Sequence, residues 1–531
     1  MTRAVLTIAC LFLLGTSMAL ADTLWTRGYS GPGGEDAAKA VLTDASNNVI
    51  MVGSSASYGY DNDFVVVKYS PNGDTIWTKR IAGPSGSNDD AMAAAIDSSG
   101  AVSVTGSTGT WPDFNILTVK LYPDGSQFWR AIYAGSANGE DGGTAIAVDD
   151  SGDVFVTGYT TTTNTDFVTI KYNPRGGEPV WIAILNNGGD DHPTAIALGP
   201  DGSVYVTGYS MRGDYDDYAT VKYSAAGVEE WVAFYNGPGN APDHALDLAV
   251  DASGNAYVTG WSATAPPPGG TNHYATVKYN SAGAQQWAVR YEATGSEASA
   301  LALGASALYV TGKTVGSGGN SDYCTIAYDF DTGDTLWVRS YDGPTGGGDV
   351  AVDVAVGPDG GVWVTGSSES DYATVLYSPG GVQEWVETYN SPYDGDDRAA
   401  AITIDTENKT IVTGTSWADG NYDIVTVKFD TMPPGIAESP GSEPISDFRF
   451  SVTPNPNASG FANLRFGPAS AGAASVTVLG VDGRVVLTRS IETRATNRTY
   501  PLDLSKLGAG VYVVRLQSGG RSATQKLVVG Q

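Results

Sequence analysis

The tripeptide Val-Thr-Gly, or a close variant of it, recurs eight times along this 531-residue chain, and a tryptophan recurs with it. Both series advance in steps of 48 to 56 residues, a period typical of one four-stranded β unit in a repeat architecture. The glycines of the tripeptides are Gly53, Gly106, Gly158, Gly208, Gly260, Gly312, Gly366 and Gly414. The tryptophans are Trp25, Trp77, Trp129, Trp181, Trp231, Trp287, Trp337 and Trp385. The sequence therefore predicts an array of similar β units.

Each unit divides into four short, apolar-alternating runs that are separated by turn residues. In the unit that begins at Asp191, the first run (195–198) is small and apolar, and the second contains Val-Thr-Gly. The third run is 218–223, and the fourth contains the tryptophan. A radial array is crowded at its centre and open at its periphery, so small residues suit the inner strand and large ones the outer strand. This order predicts a β-propeller with the Trp strand outermost.

The two series are out of phase at the ends of the array. Trp25 precedes the first Val-Thr-Gly, and the last unit has no tryptophan of its own. The eighth blade, from about residue 399 to 429, would then have three strands, and the segment around Trp25 would supply the fourth. Such a strand removes two open sheet edges. We therefore expect an all-β fold over 22–430: an eight-bladed β-propeller closed by its N-terminal strand.

The repeat resembles a known bacterial family. The segment VDASGNAYVTGWS at 250–262 is close to the core pattern of the bacterial β-propeller repeat (SBBP) family, and the similarity extends over 22–430. The usual name of that family assumes seven blades, whereas this chain has eight repeats. The resemblance implies a propeller and names no ligand.

The N-terminal segment, residues 1–21, is predicted to be a signal peptide. Arg3 is followed by an almost wholly apolar run, and Ala21 and Asp22 flank the expected cleavage site. No other segment is apolar for long enough to span a membrane, so we expect no transmembrane segment after cleavage. Cys10 would be removed with the signal peptide, and the remaining cysteine, Cys324, cannot form an intramolecular disulfide.

The C-terminal region differs from the repeats. Residues 431–446 are a Pro/Gly/Ser-rich linker without periodicity, and the short alternating runs of 447–531 predict a small immunoglobulin-like β-sandwich. The segments PNP at 454–456, VLGVDGRVV at 478–486, LDLSKLGAGVYVVRL at 502–516 and KLVV at 526–529 resemble the type A C-terminal sorting domain of type IX secretion substrates. The alternative is an ordinary immunoglobulin-like accessory module.

The sorting-domain resemblance implies a partner and a destination. The partner is the outer-membrane secretion machinery, which would recognise residues 447–531. The destination is the cell surface or the medium, reached through the periplasm. Such domains are usually removed by a surface peptidase in or after the linker, and the propeller is then anchored or released.

Charge restricts the partners of the propeller. Residues 22–430 carry 18 Lys and Arg against 52 Asp and Glu, whereas 447–531 carry 10 against 4. A surface as acidic as that of the large domain repels nucleic acid and anionic membranes. We therefore expect no nucleic-acid partner, and we expect the protein to be a monomer.

Carboxylates and all the histidines are predicted to lie on one face of the propeller. Acids recur in the loops that enter each inner strand and in those that follow each Val-Thr-Gly strand, where they either cap turns or form a face for cations. A transition-metal site is one hypothesis, with His192, His244, His273, Asp191 and Asp243 as ligands. Calcium is a second possible ion, although turn chemistry already explains the short Asp-rich turns.

Three tryptophans outside the periodic series are candidate ligand contacts. Trp111, Trp261 and Trp417 lie next to loops, where aromatic side chains either anchor a ligand, such as a sugar ring, or pack under their own loops. The sequence contains no GxSxG, HExxH or phosphate-loop motif. The predicted function is thus a secreted or surface-displayed module that binds an extracellular protein or glycan.

The alternative function is an extracellular enzyme, either a quinoprotein-like oxidoreductase or a polysaccharide-active hydrolase. The segment DFDTGDTLWVRS at 329–340 resembles the tryptophan-docking repeat of quinoprotein alcohol dehydrogenases, which also have eight blades. The vicinal cysteine pair of many such enzymes cannot form here. The segment is therefore interpreted as shared blade packing, and the cofactor, if there is one, is unknown.

Overall fold

The computed structural model describes residues 22–430, without 58–60, 85, 136–138 and 419, and parts of the C-terminal region. Those parts are 450–453, 461–466, 472–480, 485–493, 499–504, 506–507, 510–518 and 521–529. The chain divides into two compact units, Ala21–Thr431 and a second unit that contains Met432–Gln531. The predicted signal peptide and linker lie outside the described residues. Within those residues, no helix is long and apolar enough to cross a membrane.

The described residues of the first unit form 32 strands in eight four-stranded sheets. In chain order they are β1 (Asp22–Tyr29), β2 (Asp36–Thr43), β3 (Val49–Ala56), β4 (Asn62–Tyr69), β5 (Thr75–Ile81), β6 (Asn88–Ile96), β7 (Val102–Thr110), β8 (Asp113–Leu121), β9 (Gln127–Tyr133), β10 (Gly142–Val148), β11 (Val154–Thr161), β12 (Thr165–Tyr172), β13 (Pro179–Leu185), β14 (Asp191–Leu198), β15 (Val204–Arg212), β16 (Tyr215–Tyr223), β17 (Glu229–Tyr235), β18 (Asp243–Val250), β19 (Ala256–Ala263), β20 (Asn272–Tyr279), β21 (Gln285–Tyr291), β22 (Glu297–Leu303), β23 (Leu308–Val315), β24 (Ser321–Tyr328), β25 (Thr335–Tyr341), β26 (Asp349–Val356), β27 (Val362–Ser368), β28 (Asp371–Tyr377), β29 (Gln383–Tyr389), β30 (Asp397–Ile404), β31 (Thr410–Ala418) and β32 (Asn421–Asp430).

Seven sheets are formed by consecutive strands, such as β2-β3-β4-β5, and all their pairs are antiparallel. The eighth sheet has the order β1-β32-β31-β30. The first strands of neighbouring sheets contact one another in turn, from β2 through β6, β10, β14, β18, β22 and β26 to β30, and β30 also contacts β2. Eight sheets with this arrangement fit a β-propeller, and we call them blades one to eight, with β2 in the first blade and β30 in the eighth.

The N-terminal strand has the same role in its sheet as the Trp strands of the other sheets. In the β1–β32 pair, Trp25 lies opposite Lys428, and Nε1 of Trp25 donates to the carbonyl of Pro71 in the first blade at 3.0 Å. Gly73 has a φ of +84°, and its Cα lies against the Trp25 ring, so that a Cβ there would come within 2.7 Å of the ring. β1 therefore packs the last sheet against the first.

The same docking joins most neighbouring blades. A Trp Nε1 donates at 2.9–3.3 Å to a carbonyl in the third-to-fourth-strand turn of the next blade, from Trp77 to Pro123, Trp129 to Pro174, Trp181 to Ala225, Trp231 to Ser281, Trp287 to Phe330 and Trp337 to Pro379. The segment 329–340 takes part in this docking, since its Gly333 lies against the ring of Trp287 from the preceding blade. Its likeness to quinoprotein repeats is thus accounted for by blade packing.

The recurring Val-Thr-Gly has a steric cause. In the fourth blade the inner strand β14 has a bulge between Pro193 and Ala195, which brings its backbone close to Gly208. A Cβ on Gly208 would lie 2.0 Å from the carbonyl oxygen of His192. The corresponding distances in the other seven blades are 1.9–2.2 Å. Only glycine fits at this position, because any side chain would overlap with the neighbouring backbone.

The described parts of the second unit form the strands β33 (Phe450–Thr453), β34 (Phe461–Phe466), β35 (Gly472–Gly480), β36 (Val485–Thr493), β37 (Thr499–Asp503), β38 (Gly510–Ser518) and β39 (Arg521–Val529). These strands form two antiparallel sheets with the orders β33-β34-β37 and β36-β35-β38-β39. Val476, Val478, Leu504, Val514 and Val529 are buried. The sheets contact each other through β33 and β39, so the described part of this unit is all-β and has a core of its own.

Candidate functional site

The antiparallel order of each blade brings two sets of loops to the same end of its sheet. One set leads into the inner strands, and the other joins the second strand to the third. The site residues predicted from the sequence lie on these loops or near the adjoining strand ends. We call this end of the propeller the loop face.

Acids at the start of the inner strands hold the preceding loop. Oδ2 of Asp191 accepts a hydrogen bond from the backbone N–H of Asn187 at 3.0 Å, and Oδ2 of Asp243 accepts one from Gly237 at 2.6 Å. Burial raises the pKa of both acids, and hydrogen bonds to the charged form oppose the shift. The same loop contact recurs at Asp36, Asp89, Asp141, Asp349 and Asp397. Each of these acids therefore caps the loop before it with one carboxylate oxygen.

The three histidines do not converge on one point. The rings of His192 and His244 lie on either side of Tyr209, with centroids 5.1 and 3.9 Å from the Tyr209 centroid. His273 is buried on β20, and its Nδ1 lies 2.9 Å from Oε2 of Glu292. Asp191 and Asp243 already bind loop amides. The metal site at these five residues therefore stays a prediction.

Carboxylates gather elsewhere on the loop face. Asp322, Asp342 and Asp349 each offer one oxygen within 4.8 Å of the others, between the sixth and seventh blades. Burial raises the pKa of Asp322, and the charges of Asp342 and Asp349 raise it further. An all-oxygen group of this kind could hold Ca²⁺. It contains none of the five residues predicted as metal ligands.

The three candidate tryptophans have different environments. Trp111 is 79% exposed. Trp417 packs within the eighth blade: its ring centroid lies 5.0 Å from that of Tyr422, and its side chain lies against Gly395. Trp261 is half-buried, and its ring centroid lies 4.3 Å from that of His244. Of the three, Trp261 belongs to a larger cluster.

That cluster is a continuous series of rings across three blades, which we call the aromatic arc: Tyr159, His192, Tyr209, His244 and Trp261. Successive ring centroids are 6.3, 5.1, 3.9 and 4.3 Å apart, and Tyr209 and His244 are stacked with an interplanar angle of 5°. All five side chains are half-buried. The arc therefore forms a connected, partly exposed surface on the third, fourth and fifth blades.

The arc occupies two fixed positions of the repeat. One is the residue that follows Val-Thr-Gly, and the other is its partner on the inner strand, which is the second residue of β14 and of β18. In the other five blades these paired positions hold Ala37 with Ser54, Asp90 with Ser107, Glu297 with Lys313, Val350 with Ser367, and Arg398 with Thr415. The fold tolerates small and charged residues there, so the aromatic residues are not required by the blade itself.

Several polar groups of the arc are available to a ligand. Within the described residues, no hydrogen bond engages the hydroxyl groups of Tyr159 and Tyr209, the ring nitrogens of His192 or Nε1 of Trp261. Burial raises the pKa of both tyrosines, so their hydroxyls stay protonated and can donate. His244 differs, because its Nε2 lies 3.0 Å from Oδ2 of Asp216.

Two acids on the inner strands were missed by the sequence analysis. Asp247 accepts hydrogen bonds from its neighbour Leu248 and from Leu301 of the sixth blade, both at 2.8 Å. Asp353 likewise accepts from its neighbour Val354 at 2.8 Å and from Ile402 of the eighth blade at 2.9 Å. Burial raises the pKa of Asp247 to about 6 and that of Asp353 to about 7, and these hydrogen bonds oppose the shift.

The other six blades have Ala at this register position: Ala40, Ala93, Ala145, Ala195, Ala300 and Ala401. The sequence signal that could have identified these two acids was an Asp within a run of small apolar residues.

The raised pKa values of Asp247 and Asp353 predict that the free energy of unfolding falls as the pH rises. A carboxyl group whose pKa is raised on folding contributes its full stabilisation below its unfolded pKa, and that contribution is lost as the pH rises through the folded pKa. The window for Asp353 therefore runs from about pH 4 to about pH 7, with a loss on the order of a few kcal/mol. Asp353→Ala is expected to flatten the decrease in unfolding midpoint that calorimetry measures across this window.

The matched variant for that experiment is Ala195→Asp, which places a new acid at the same register position of the fourth blade. It is expected to steepen the decrease. An unchanged slope in Asp353→Ala would show that the buried acid does not control the pH dependence.

Comparison with known proteins identifies the C-terminal unit. Residues 451–530 match the family described as the secretion system C-terminal sorting domain. The type IX sorting domain predicted from the four motifs is thus confirmed, and an ordinary accessory module is not needed to explain the region. The protein is secreted or displayed at the cell surface, and its C-terminal domain is the part that interacts with the type IX secretion machinery.

Solved structures give more distant likenesses. Quinohemoprotein alcohol dehydrogenase from Comamonas testosteroni is 12% identical with a TM-score of 0.46, covering 80% of this chain and 78% of that one. Sqt1 from Chaetomium thermophilum is 12% identical with a TM-score of 0.48, covering 78% of this chain and all of that one. No curated protein matches the chain at a significant level. None of these likenesses carries an argument about activity.

Proposed function

We propose that this protein is an exported binding module: an eight-bladed β-propeller, closed by its N-terminal strand, that binds an extracellular protein or carbohydrate on its loop face. Cleavage between Ala21 and Asp22 would leave a mature chain of a propeller (22–430), a linker (431–446) and a sorting domain (447–531) with an immunoglobulin-like β-sandwich fold. The sorting domain delivers the propeller to the surface, where the loop face meets its ligand.

The aromatic arc carries this proposal. The eight blades can be compared with one another. Where the fold requires a particular residue, nearly every blade has it, as with Gly208 and its counterparts. The two arc positions instead hold five different kinds of pair in the remaining blades. Partly exposed, contiguous aromatic surface with unengaged polar groups is typical of ligand sites. Its restriction to three adjacent blades indicates a function beyond folding.

The enzyme alternative gains no support from the single cysteine of the mature chain. Cys324 is fully buried on β24, and burial raises the pKa of its thiol to about 12. A buried, protonated thiol is a poor nucleophile and a poor metal ligand. Seven acids at the starts of the inner strands, in turn, accept hydrogen bonds from loop amides. Binding therefore makes better use of the side chains on this face than catalysis does.

Binding by the mature protein to an array that carries both glycans and peptides tests the proposal. The double variant Tyr209→Ala/His244→Ala is expected to bind with an affinity at least about tenfold lower than that of wild type, which corresponds to about 1.4 kcal/mol of binding free energy. The control is Val350→Ala/Ser367→Ala, which changes the same two repeat positions in the seventh blade. The proposal fails if wild type binds nothing on the array, or if both double variants bind equally well.

A further inference from the structure

We propose that the aromatic arc is a subsite for an uncharged glycan, with Trp261 as the stacking platform and the edges of Tyr159, His192 and Tyr209 as hydrogen-bonding groups for sugar hydroxyls. This inference rests on the proposed binding function and names the ligand class of the same site.

The arrangement of the rings determines how a ligand can contact them. Tyr209 and His244 cover each other's faces, since their centroids are 3.9 Å apart and their planes nearly parallel. At the other end of the arc Tyr159 lies over Gly142, where an added Cβ would come within 2.7 Å of the Tyr159 ring. Trp261 ends the series and has His244 as its one ring neighbour among the described residues. The arc thus presents ring edges along its length, and at its end one face of the Trp261 ring has no aromatic neighbour among the described residues.

Ring edges and an indole face without an aromatic neighbour suit a sugar chain. A sugar ring has an apolar C–H face that stacks on an indole, and it has hydroxyl groups around its rim. The unengaged hydroxyls of Tyr159 and Tyr209 and the ring nitrogens of His192 can both donate and accept hydrogen bonds, whereas Trp261 Nε1 can only donate. A few polar groups at fixed positions on an apolar surface provide orientation and specificity. A sugar with several hydroxyls can satisfy these groups together.

Charge favours an uncharged glycan over an anionic one. The propeller carries 52 acidic residues against 18 basic ones, so its field repels uronates and sulfated sugars. Two arginines in the blades of the arc already contact other groups of the propeller. The guanidinium of Arg212 lies 3.9 Å from the ring centroid of Phe234, and Nη2 of Arg290 donates to the carbonyl of Ser262 at 3.2 Å. The arc itself contains no lysine or arginine.

A cationic ligand is disfavoured for a different reason. Most carboxylates near the arc already have partners within the protein, and the exposed Glu140 beside Tyr159 is the exception among the described residues. Asp216 binds His244, and Asp191 and Asp243 bind loop amides and are fully buried. Oδ1 of Asp190 accepts a hydrogen bond from the backbone N–H of Thr165. A cationic sugar or peptide would have to compete with these contacts.

The test uses the mature wild-type protein and three sets of immobilised oligosaccharides: uncharged, uronate-containing and amino-sugar oligomers. A peptide library is the fourth set. We expect binding to members of the uncharged set, measured as dissociation constants by biolayer interferometry. Trp261→Ala is expected to weaken this binding at least tenfold, and Trp261→Phe, which keeps an aromatic face, to restore part of it.

Tyr209→Phe separates stacking from hydrogen bonding. It removes one hydroxyl and keeps the ring that stacks on His244, so affinity is expected to fall by about threefold to tenfold, the range for a single hydrogen bond. Ser367→Ala, at the same repeat position in the seventh blade, is the control and should bind as wild type does.

The outcomes distinguish this inference from the proposed function. Binding to peptides or to charged sugars that Trp261→Ala abolishes would overturn the uncharged-glycan assignment and leave the binding function in place. Binding to uncharged sugars that is unaffected by Trp261→Ala would overturn the site. If no set binds, both proposals fail.

Discussion

A mature chain that lacks residues 22–30 is expected to unfold as a whole at a much lower temperature than wild type. The deletion removes β1, leaves β32 as an open edge and removes the docking of Trp25 on Pro71 and Gly73. The loss should exceed the about 3–5 kcal/mol typical of deleting one large buried aromatic side chain. Because the last sheet also packs against the first through β30 and β2, calorimetry should show one transition shifted downward, without separate fraying of one blade.

Two neighbouring side chains provide the matched pair for this prediction. Trp25 is 6% exposed and Leu24 is 45% exposed on the same strand. Trp25→Ala should reproduce much of the effect of the deletion, whereas Leu24→Ala should change stability by about 0.5 kcal/mol or less.

A rearranged chain tests whether the strand acts through its pairing. Asp22 lies opposite Asp430, so a short turn can join the end of β32 directly to β1. A variant with residues 22–30 moved to follow residue 430 should regain near-wild-type stability. If deletion leaves the transition unchanged, or if the transplanted strand does not restore it, the N-terminal strand does not close the propeller.

Gly208→Ala is expected to destabilise the fourth blade severely. The new Cβ would lie 2.0 Å from the carbonyl oxygen of His192 and 2.7 Å from Cα of Pro193. Both contacts are to backbone, which cannot rotate away, so β14 and β15 would have to separate. We expect a loss of about 3–5 kcal/mol or failure to fold, above the usual cost of overpacking. Chemical denaturation of the mature protein measures it.

The control for this prediction is Gly28→Ala. Gly28 lies on β1, has no atom within 4 Å of its would-be Cβ and has an ordinary φ. This substitution should leave stability nearly unchanged or raise it slightly, since alanine has less conformational freedom in the unfolded chain. A Gly208→Ala variant as stable as Gly28→Ala would contradict the steric explanation of the repeated glycine.

Much of the fold could be predicted because its signals are local. Turn residues, apolar alternation and the Trp period act within about 50 residues of sequence, and they indicated all-β units, their strand content and their number. The offset of Trp25 was also visible as a count. The motifs at 454–456, 478–486, 502–516 and 526–529 indicated the sorting domain, since each is a short contiguous segment.

The candidate site was predicted less well, because it depends on contacts between blades. Trp261, His192 and His244 were selected for other reasons, as a possible anchor and as possible metal ligands. Nothing in the sequence indicated that a tyrosine, Tyr209, would lie between the two histidines. Trp111 and Trp417 looked equivalent to Trp261, yet Trp111 is exposed and Trp417 packs against Tyr422 and Gly395.

The sequence by itself determined the repeat, the acidic character of the propeller and the export address, because each depends on residue type and spacing along the chain. Tertiary structure alone decided which side chains face one another across neighbouring blades. It separated the histidines from a common centre, assigned the ring of acids to loop amides, and joined five rings from three blades into the aromatic arc. The physical reason is that a strand's periodicity is set by its own neighbours, whereas a contact between blades depends on the bulge, register and docking of two sheets together.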